Sequence, residues 1–300
     1  MPSAARIALT RKGWIFSLTA LMLSTFAQPA GAAAWKSGVR NNSYTTPFAT
    51  WRATSNTVVS GFIDWKHGWS GMYTFASGSS PRTMRNKSSN VSFGHGLFPQ
   101  GGSLSECAKG SYNDEQREVA RRLAANGVGD AEIRLGWEAS GDWFPWSAAG
   151  KPADQWKACF TNIAKAMKGQ ANGLRIGWFM AKKGRIDART IYPADAPITN
   201  IGLSFYDDGQ ARFGSETYLG GPWGLQAWAN FARGKGKKLA FGEWGVGRNG
   251  DNPAFITNMY NFLAANSAII AHEAYFNSGS YQLYPIKYLP KSSSEYQKKF

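Results

Sequence analysis

Two glutamates, Glu138 and Glu243, each stand at or near the end of a short apolar segment. Glu138 follows AEIRLGW (131–137), and Glu243 lies near the end of KLAFGEW (238–244). Two carboxyl groups held about 5–5.5 Å apart can cleave a glycosidic bond with retention of configuration. One carboxyl protonates the leaving oxygen and later activates water, while the other attacks the anomeric carbon. This pair therefore indicates glycoside hydrolysis as the first chemistry to consider.

The residues around each glutamate predict different protonation states. Glu138 follows Trp137 and precedes the aromatic run GDWFPW (141–146). An apolar wall disfavours the charged carboxylate and raises its pKa, as an acid catalyst requires. We expect Glu243 to stay ionised as the nucleophile. By strand order, we also expect the Tyr206 hydroxyl to donate a hydrogen bond to Glu243.

An alternation of strands and helices from residue 113 onward must position these groups. Residues 131–137, 174–181, 200–207, 238–244 and 268–276 read as strands. Residues 113–126, 151–170, 224–236, 253–267 and 292–300 read as helices, with Asn113 or Asp114 and Asn252 as caps. Such alternation predicts a parallel sheet with helical crossovers.

Three further strands, near 58–64, 71–76 and 91–97, would complete a set of eight, whereas 33–57 and 78–90 read as irregular or loop segments. We therefore predict a single (β/α)8 barrel over residues 33–300. The alternative, a doubly wound open sheet, is disfavoured because no glycine-rich dinucleotide turn follows any strand. In a barrel the carboxyl ends of all strands meet at one mouth. Glu138 and Glu243 would meet there from strands four and seven.

Residues 1–32 have the pattern of a secretory signal peptide. Arg6, Arg11 and Lys12 precede a short apolar stretch at 15–27, and Ala30-Gly-Ala32 fits a cleavage site. The stretch is short for a membrane span, although an uncleaved anchor is the alternative. We expect a secreted or periplasmic protein, a monomer, that does not insert into the membrane after cleavage.

The formal charge of the chain is +15, and such a balance favours anionic partners. For an exported protein these include envelope surfaces and polysaccharides that carry uronic acids, and export argues against nucleic acid. Lys182, Lys183, Arg185 and Arg248 follow predicted strands, so they are expected to rim the mouth and to grip carboxylates of such a polymer. Ordinary solvated loop charges are the other interpretation of the same residues.

Other catalytic chemistries find little support among the remaining residue types. The three histidines, His67, His95 and His272, are not accompanied by a Gly-x-Ser-x-Gly elbow or by a zinc-binding spacing. No metal or organic cofactor is implied. Cys107 and Cys159 are able to form a disulfide in an oxidising compartment, but the sequence does not show that they are close in space.

Three motifs resemble glycoside hydrolase family 26, which contains β-mannanases and some other β-glycanases. The segment from Arg134 to Trp146, RLGWEASGDWFPW, resembles its acid/base motif, and FGEWG around Glu243 resembles its nucleophile motif. GLSFYD, which contains Tyr206, is similar to the preceding strand, whose tyrosine contacts the nucleophile. The resemblance covers roughly residues 90–300. It implies the barrel, the retaining mechanism and the roles of the two glutamates.

The chain departs from the family pattern at two positions that help to read the substrate. Trp137 stands where the mannanases usually carry His, and Ser204 stands where they often carry Asp. The substrate therefore stays open between a β-mannan or related β-glucan and an acidic bacterial exopolysaccharide. A barrel that binds carbohydrate without cleaving it is a further alternative, and so is an exported binder of an anionic polymer.

Aromatic and basic residues in and near these motifs are candidates for sugar binding, because flat apolar rings stack on sugar faces. Any single aromatic residue among them has ordinary packing as its alternative. Glu273 is expected to be a buried ion-pair partner rather than a third catalytic group. The candidate substrate-binding residues are Arg134, Trp137, Trp143, Trp146, Trp178, Trp244 and Tyr275.

Overall fold

The computed structural model describes residues 34–40, 45–207, 224–247 and 250–300. Eight parallel strands pair in chain order and close into a barrel, with β1 hydrogen-bonded to β8. The strands are β1 (Lys36–Arg40), β2 (Val58–Phe62), β3 (Val91–His95), β4 (Glu132–Leu135), β5 (Arg175–Ala181), β6 (Ile198–Tyr206), β7 (Lys238–Gly245) and β8 (Ile270–Phe276). The predicted (β/α)8 fold is confirmed.

Helices connect most of the strands and cover the barrel, whereas the segment between β5 and β6 contains a short 3-10 turn instead of an α-helix. The described residues form α1 (Thr45–Trp51), α2 (Gly68–Ser77), α3 (Ser79–Lys87), α4 (Leu104–Lys109), α5 (Asn113–Ala125), α6 (Ala153–Gln170), α7 (Leu225–Gly234), α8 (Pro253–Ala265) and α9 (Pro290–Lys299). Short 3-10 turns occur at Ala188–Ile191, Ser267–Ile269 and Gly279–Tyr281. Among these described helices, none has the combined length and apolarity that a bilayer crossing demands.

The elements predicted for the second half of the chain are confirmed to within a few residues. Asn252 caps α8 as expected, because its side chain accepts a hydrogen bond from the backbone of Phe255. The cap of α5 differs: Asn113 is its first helical residue and Tyr112 precedes it. The signal-peptide segment lies outside the described residues.

The first half contains three errors of sequence interpretation. Residues 71–76 are not a strand but part of α2, where Met72 and Ala76 are buried at helical spacing. The segment predicted as loop at 78–90 contains α3. The first strand is β1, within a stretch that looks irregular because Lys36 and Ser37 interrupt its short apolar pattern.

The barrel interior is polar at two levels. Towards the amino ends of the strands, buried Glu132 accepts hydrogen bonds from Ser92 and Asn200 and pairs with His272 at 2.6 Å. The His272 contact lowers the pKa of Glu132 to about 2, against the opposing effect of burial. This group is structural, because its partners are all buried side chains of the barrel interior. The second level lies at the mouth and contains Arg134 and Glu243.

A disulfide links two of the helices that surround the barrel. Cys107 in α4 bonds to Cys159 in α6, and their Cα atoms are 4.8 Å apart. Both half-cystines are fully buried. The bond therefore ties the segment after β3 to the helix that follows β4, on the side of the barrel that supports the aromatic loop around Glu138.

Candidate active site

A cleft of about 980 Å³ opens at the carboxyl ends of the strands. This volume lies at the upper end of the range usual for small-molecule sites, about 300–1,000 Å³. Both predicted catalytic glutamates line the cleft. Its described lining residues are Phe62, Trp65, Lys66, Trp137, Glu138, Asp142, Trp143, Phe144, Ala181, Lys182, Lys183, Gly184, Arg185, Ser204, Tyr206, Glu243, Phe276 and Tyr281.

Glu243 projects from β7 into a set of hydrogen-bond donors. The Tyr206 hydroxyl donates to Oε2 at 2.8 Å, and the Ser204 hydroxyl donates to Oε1 at 3.1 Å. Arg134 adds an ion pair to Oε1 at 3.3 Å. Burial and the charge of Glu243 raise the pKa of Tyr206 well above its usual value, so this hydroxyl stays protonated. The arrangement stabilises Glu243 as a fixed carboxylate.

Arg134 acts on Glu243 from beneath the cleft. It is fully buried, and its guanidinium also donates to the Ser60 hydroxyl and the Gly61 carbonyl, each at 2.9 Å. The prediction that Arg134 binds substrate is therefore corrected: as an inward residue of β4 below the cleft floor, it orients the carboxylate. A side chain at Gly242 would collide with Arg134, so the glycine makes this approach possible.

Glu138 lies in the turn that follows β4 and has a left-handed backbone, with φ of 57°. This conformation is costly for a non-glycine residue and is common at functional sites. The backbone N–H of Glu138 donates to the Phe179 carbonyl at 2.9 Å, which fixes the turn to β5. Its carboxylate Oε2 accepts a hydrogen bond from the Trp143 indole at 2.7 Å.

Burial, followed by the nearby charge of Glu243, raises the pKa of Glu138 to about 7. The hydrogen bonds from Ser204 and Trp143 and the charge of Arg134 act in the opposite direction but are weaker. The shift has the sign that the aromatic surroundings predict. A carboxyl with this pKa is able to hold a proton near neutral pH and to release it during a reaction.

A wall of aromatic rings stands beside Glu138. Trp137 packs against both Phe144 and Trp146, with ring centroids 4.6 and 4.7 Å away, and those two rings stack on each other. Trp65 approaches from the segment after β2. Trp143 stands at the edge of this wall and is 50% exposed. Trp137 and Trp143 both line the cleft, where they were predicted to contact substrate.

Four other predicted aromatic contacts are corrected, because they are fully buried away from the cleft: Trp146, Trp178, Trp244 and Tyr275. Successive strand residues point to opposite faces. Glu243 faces the barrel interior, so Trp244 faces the helices and donates to Glu273 at 2.5 Å. Tyr275 lies opposite Trp244 in β8 and packs on it.

The remaining two aromatic residues are buried for related reasons. Trp178 points outward from β5 and packs against Trp228 and Tyr192. Trp146 lies behind the wall and donates its indole hydrogen to the Trp137 carbonyl at 3.0 Å. It therefore supports the cleft without lining it.

Other lining residues escaped sequence analysis. Trp65 and Lys66 follow β2, Phe276 is the last residue of β8, and Tyr281 follows that strand. These residues stand at or just after the carboxyl end of a strand, and that position in the sequence indicates a place at the mouth of the barrel. Ser204 was noticed only as a departure from a family pattern, although it contacts Glu243.

The basic residues expected at the rim are partly in place. Lys182, Lys183 and Arg185 line the cleft, and Arg185 pairs with Asp142 at 2.8 Å. Arg248 lies outside the described residues. Within the described ranges, no group of His, Cys, Asp or Glu has a geometry suited to hold a metal ion.

Two titratable residues, Glu273 and His95, are buried outside the cleft and contact other protein groups. Glu273 is buried as predicted, but the predicted ion pair is corrected: it accepts a hydrogen bond from Trp244 and makes no ion pair within the described part of the chain. His95 bonds to Gln116 at 2.7 Å on the helix side of β3, and burial lowers its pKa to about 4. Neither is part of the candidate site.

Solved structures with the same fold include several family 26 glycoside hydrolases. A modular endo-β-1,4-mannanase from Cellulomonas fimi is 20% identical, with a TM-score of 0.61 over 83% of this chain and 66% of that one. The catalytic domain of a Bacillus sp. JAMB-750 endo-β-1,4-mannanase is 13% identical, with a TM-score of 0.65 over 88% and 85%. A Bacteroides ovatus β-mannanase is 11% identical, with a TM-score of 0.63 over 90% and 89%.

No family model and no curated protein sequence matches the chain. At identities of 11–20%, the structural likeness establishes the fold that this chain shares with those enzymes. The chain spans just under two thirds of the Cellulomonas enzyme. The fold alone does not define the chemistry of the cleft, which depends on the side chains that line it.

Proposed function

We propose that this protein is a retaining glycoside hydrolase related to family 26, which cleaves β-glycosidic bonds within a polysaccharide. The observation that carries the proposal is a pair of carboxyl groups in one cleft with opposite electrostatic surroundings. Glu243 is held by three donors, whereas burial and the charge of Glu243 raise the pKa of Glu138 to about 7. Such a division provides one nucleophile and one proton donor.

In the first step, protonated Glu138 gives its proton to the oxygen of the leaving sugar while a Glu243 oxygen bonds to the anomeric carbon. The glycosidic bond breaks and a glycosyl ester forms on Glu243. In the second step, the Glu138 carboxylate takes a proton from water as the water oxygen attacks the same carbon. The ester bond breaks, and the product leaves with its original configuration.

Three residues prepare Glu243 for attack. Tyr206, Ser204 and Arg134 fix both carboxylate oxygens in the cleft, so little reorganisation is needed when charge moves towards the anomeric carbon. Trp137 and Ser204 occupy positions that help to read substrate in family 26, and both differ here from the usual mannanase residues. This difference favours a β-glycan other than plain mannan.

We also propose that the protein works outside the cytoplasm as a monomer. The buried disulfide supports an oxidising compartment, and the cleft draws all its described catalytic groups from one chain.

The experiment that tests the proposed function is hydrolysis of a polysaccharide panel by the wild type and by Glu243→Ala. The panel contains mannans, mixed-linkage glucan, xylan and acidic exopolysaccharides, and new reducing ends are counted. Cleavage that Glu243→Ala abolishes is expected. Binding of a panel member without cleavage would contradict the proposal in favour of a carbohydrate-binding barrel.

A further inference from the structure

Arg40 is a cation at the cleft that the proposed catalytic steps do not use. It is the last residue of β1 and is partly exposed. Its guanidinium lies 5.3 Å from the ring centre of Phe62 and 4.7 Å from that of Phe276. Both rings line the cleft, so Arg40 is fixed between two parts of the cleft wall by cation–π contacts.

The hydrogen-bonding capacity of Arg40 is left unused within the structure. Among the residues that the structure describes, none accepts a hydrogen bond from its guanidinium or forms an ion pair with it. Yet the charge of Glu243 is close enough to influence it. A guanidinium offers five donors in a planar fork that matches a carboxylate. This geometry suits an incoming anion.

Most charges around the rest of the cleft are also positive, although Arg185 pairs with Asp142. The described lining contains four cations, Lys66, Lys182, Lys183 and Arg185, against Asp142 as its one carboxylate besides the proposed catalytic pair. A cleft lined with one sign of charge raises the local concentration of ions of the opposite sign. The overall charge of +15 acts in the same direction.

The barrel order spreads these cations over both sides of the mouth. Arg40 belongs to β1, which lies between β8 and β2. Arg185 and its neighbours follow β5, on the opposite side and beside the Glu138 loop. A polysaccharide chain bound across the mouth therefore meets positive charge on either side of the two glutamates. A repeating acidic polymer has charges to match both sides.

We infer that the substrate is an acidic β-glycan whose sugar units carry carboxylates, and that Arg40 is a specificity-determining residue that binds one of them. The inference rests on the proposed function, since it names the substrate class of the same cleft. A neutral glycan would offer no charge to the Arg40 guanidinium. A uronate carboxylate would accept two hydrogen bonds from Arg40 and displace little water, because the two rings already shield its faces.

The test compares sugars that differ only at C6. Oligosaccharides of β-1,4-mannuronan are paired with those of β-1,4-mannan, and C6-oxidised cello-oligosaccharides are paired with cello-oligosaccharides. Binding is measured by calorimetry with the full chain carrying Glu138→Gln. This substitution introduces a neutral side chain of similar shape and prevents turnover of the oligosaccharide. We expect tighter binding of the acidic member in at least one pair, and an affinity that falls with added salt.

Arg40→Gln in that background is expected to weaken binding of the acidic oligosaccharide by roughly 10- to 100-fold and to leave the neutral one within about twofold. Arg40→Lys should recover part of the loss, because it keeps the charge. Arg121→Gln is the matched control, since Arg121 pairs with Glu118 on the exposed face of α5. It removes the same charge from the molecule without touching the cleft.

Two results would overturn the inference. One is the absence of a preference for the acidic member in both pairs. The other is an equal loss of acidic and neutral binding in Arg40→Gln, which would assign Arg40 to the fold or to Glu243. Hydrolysis is followed separately with unsubstituted Glu138. Arg40-dependent binding without hydrolysis contradicts only the proposed function, whereas hydrolysis of neutral glycans that ignores Arg40 contradicts only this inference.

Discussion

At the level of single residues, the cleft gives two glutamate side chains different surroundings. Glu243 lies among an arginine, a tyrosine and a serine, whereas Glu138 lies against Trp143 and an aromatic wall. Sequence alone makes both glutamates candidates, because each stands at or near the end of a strand-like segment, and the aromatic neighbours of Glu138 predict the sign of its pKa shift. It did not identify Ser204 as a partner of Glu243, since that contact depends on the register of β6 against β7.

The pKa of Glu138 predicts a pH dependence. In the proposed mechanism Glu138 must carry a proton to start the reaction, and its pKa is about 7. As pH rises through this value the active fraction declines, so kcat/KM is expected to fall about tenfold per unit above roughly pH 7. The measurement is the pH profile of kcat/KM. A profile that stays flat to pH 9 would contradict the assignment.

Trp143→Phe sharpens the same test. The indole hydrogen bond lowers the pKa of Glu138, so its loss should move the alkaline decline of kcat/KM to higher pH. The shift is independent of any change in substrate affinity that the variant causes. A decline that moves to lower pH, or not at all, would show that the indole does not act on the ionisation of Glu138.

The same pKa predicts a link between acidity and stability. The folded pKa of about 7 lies above the ordinary value of 4.5, so the stability associated with this group is present below about pH 4.5 and is lost as pH rises through 7. Glu138→Gln carries no such charge. Its melting temperature relative to wild type is expected to be higher at pH 8 than at pH 5, and an equal difference at both pH values would contradict this.

Tyr206→Phe tests the support of Glu243. The variant removes a charge-assisted hydrogen bond of 2.8 Å, and kcat is expected to fall roughly 10- to 100-fold with little change in melting temperature. Tyr288→Phe is the control, because Tyr288 is exposed on the surface. Similar kcat values for Tyr206→Phe and the wild type would remove Tyr206 from the site.

At the scale of elements, alternation along the strands explains which aromatic residues were misassigned. Trp178, Trp244 and Tyr275 stand on strands of correctly predicted position, but they point to the helices rather than to the mouth. Buried parallel strands are apolar on both faces, so their sequences do not show which face is inside. Once Glu243 is known to face the barrel interior, alternation along β7 places the Trp244 side chain on the outer face, against the helices.

The first strand shows the opposite difficulty. β1 has five residues, and a lysine, a serine and a glycine precede its Val39. Its assignment depends on pairing with β2 and β8, which no local pattern reveals. Because β1 was missed, Arg40 was missed too.

Gly242 tests how β7 positions Arg134. A methyl group there would collide with the Arg134 side chain, so Gly242→Ala is expected to disturb the ion pair with Glu243 and to lower kcat about tenfold or more. Gly234→Ala is the matched control, because nothing lies close to the added methyl group at the end of α7. Equal activity of the two variants would contradict the positioning role of Arg134.

At the scale of the whole molecule, the sequence predicted the barrel because strand–helix alternation in its second half is regular. The disulfide was left open, since the cysteines stand 52 residues apart and no local rule brings α4 to α6. The structure supplies that contact through the packing of these helices on the same side of the barrel.

Removing the disulfide should lower the stability of the whole domain. The bond closes a long loop in the unfolded chain, and the chain-entropy relation assigns such a loop about 4 kcal/mol. Cys107→Ser combined with Cys159→Ser is expected to lower the free energy of unfolding by up to this amount, measured by denaturant titration. An unchanged midpoint would show that helix packing alone secures this side of the barrel.

The central claim is that Glu243 forms the glycosyl bond while Glu138 moves the proton. It is tested most directly by azide rescue, which needs an activated aryl β-glycoside of the sugar that the wild type cleaves. Glu243→Ala leaves space beneath the anomeric carbon. Glu138→Gly leaves space above it and suits the left-handed backbone at that position.

The configuration of the glycosyl azide product is read by proton NMR for both variants. We predict an α-glycosyl azide from Glu243→Ala, because azide replaces the nucleophile in a single displacement. We predict a β-glycosyl azide from Glu138→Gly, because azide attacks the ester already formed on Glu243. The opposite configurations from the two variants, or the same configuration from both, would contradict the account.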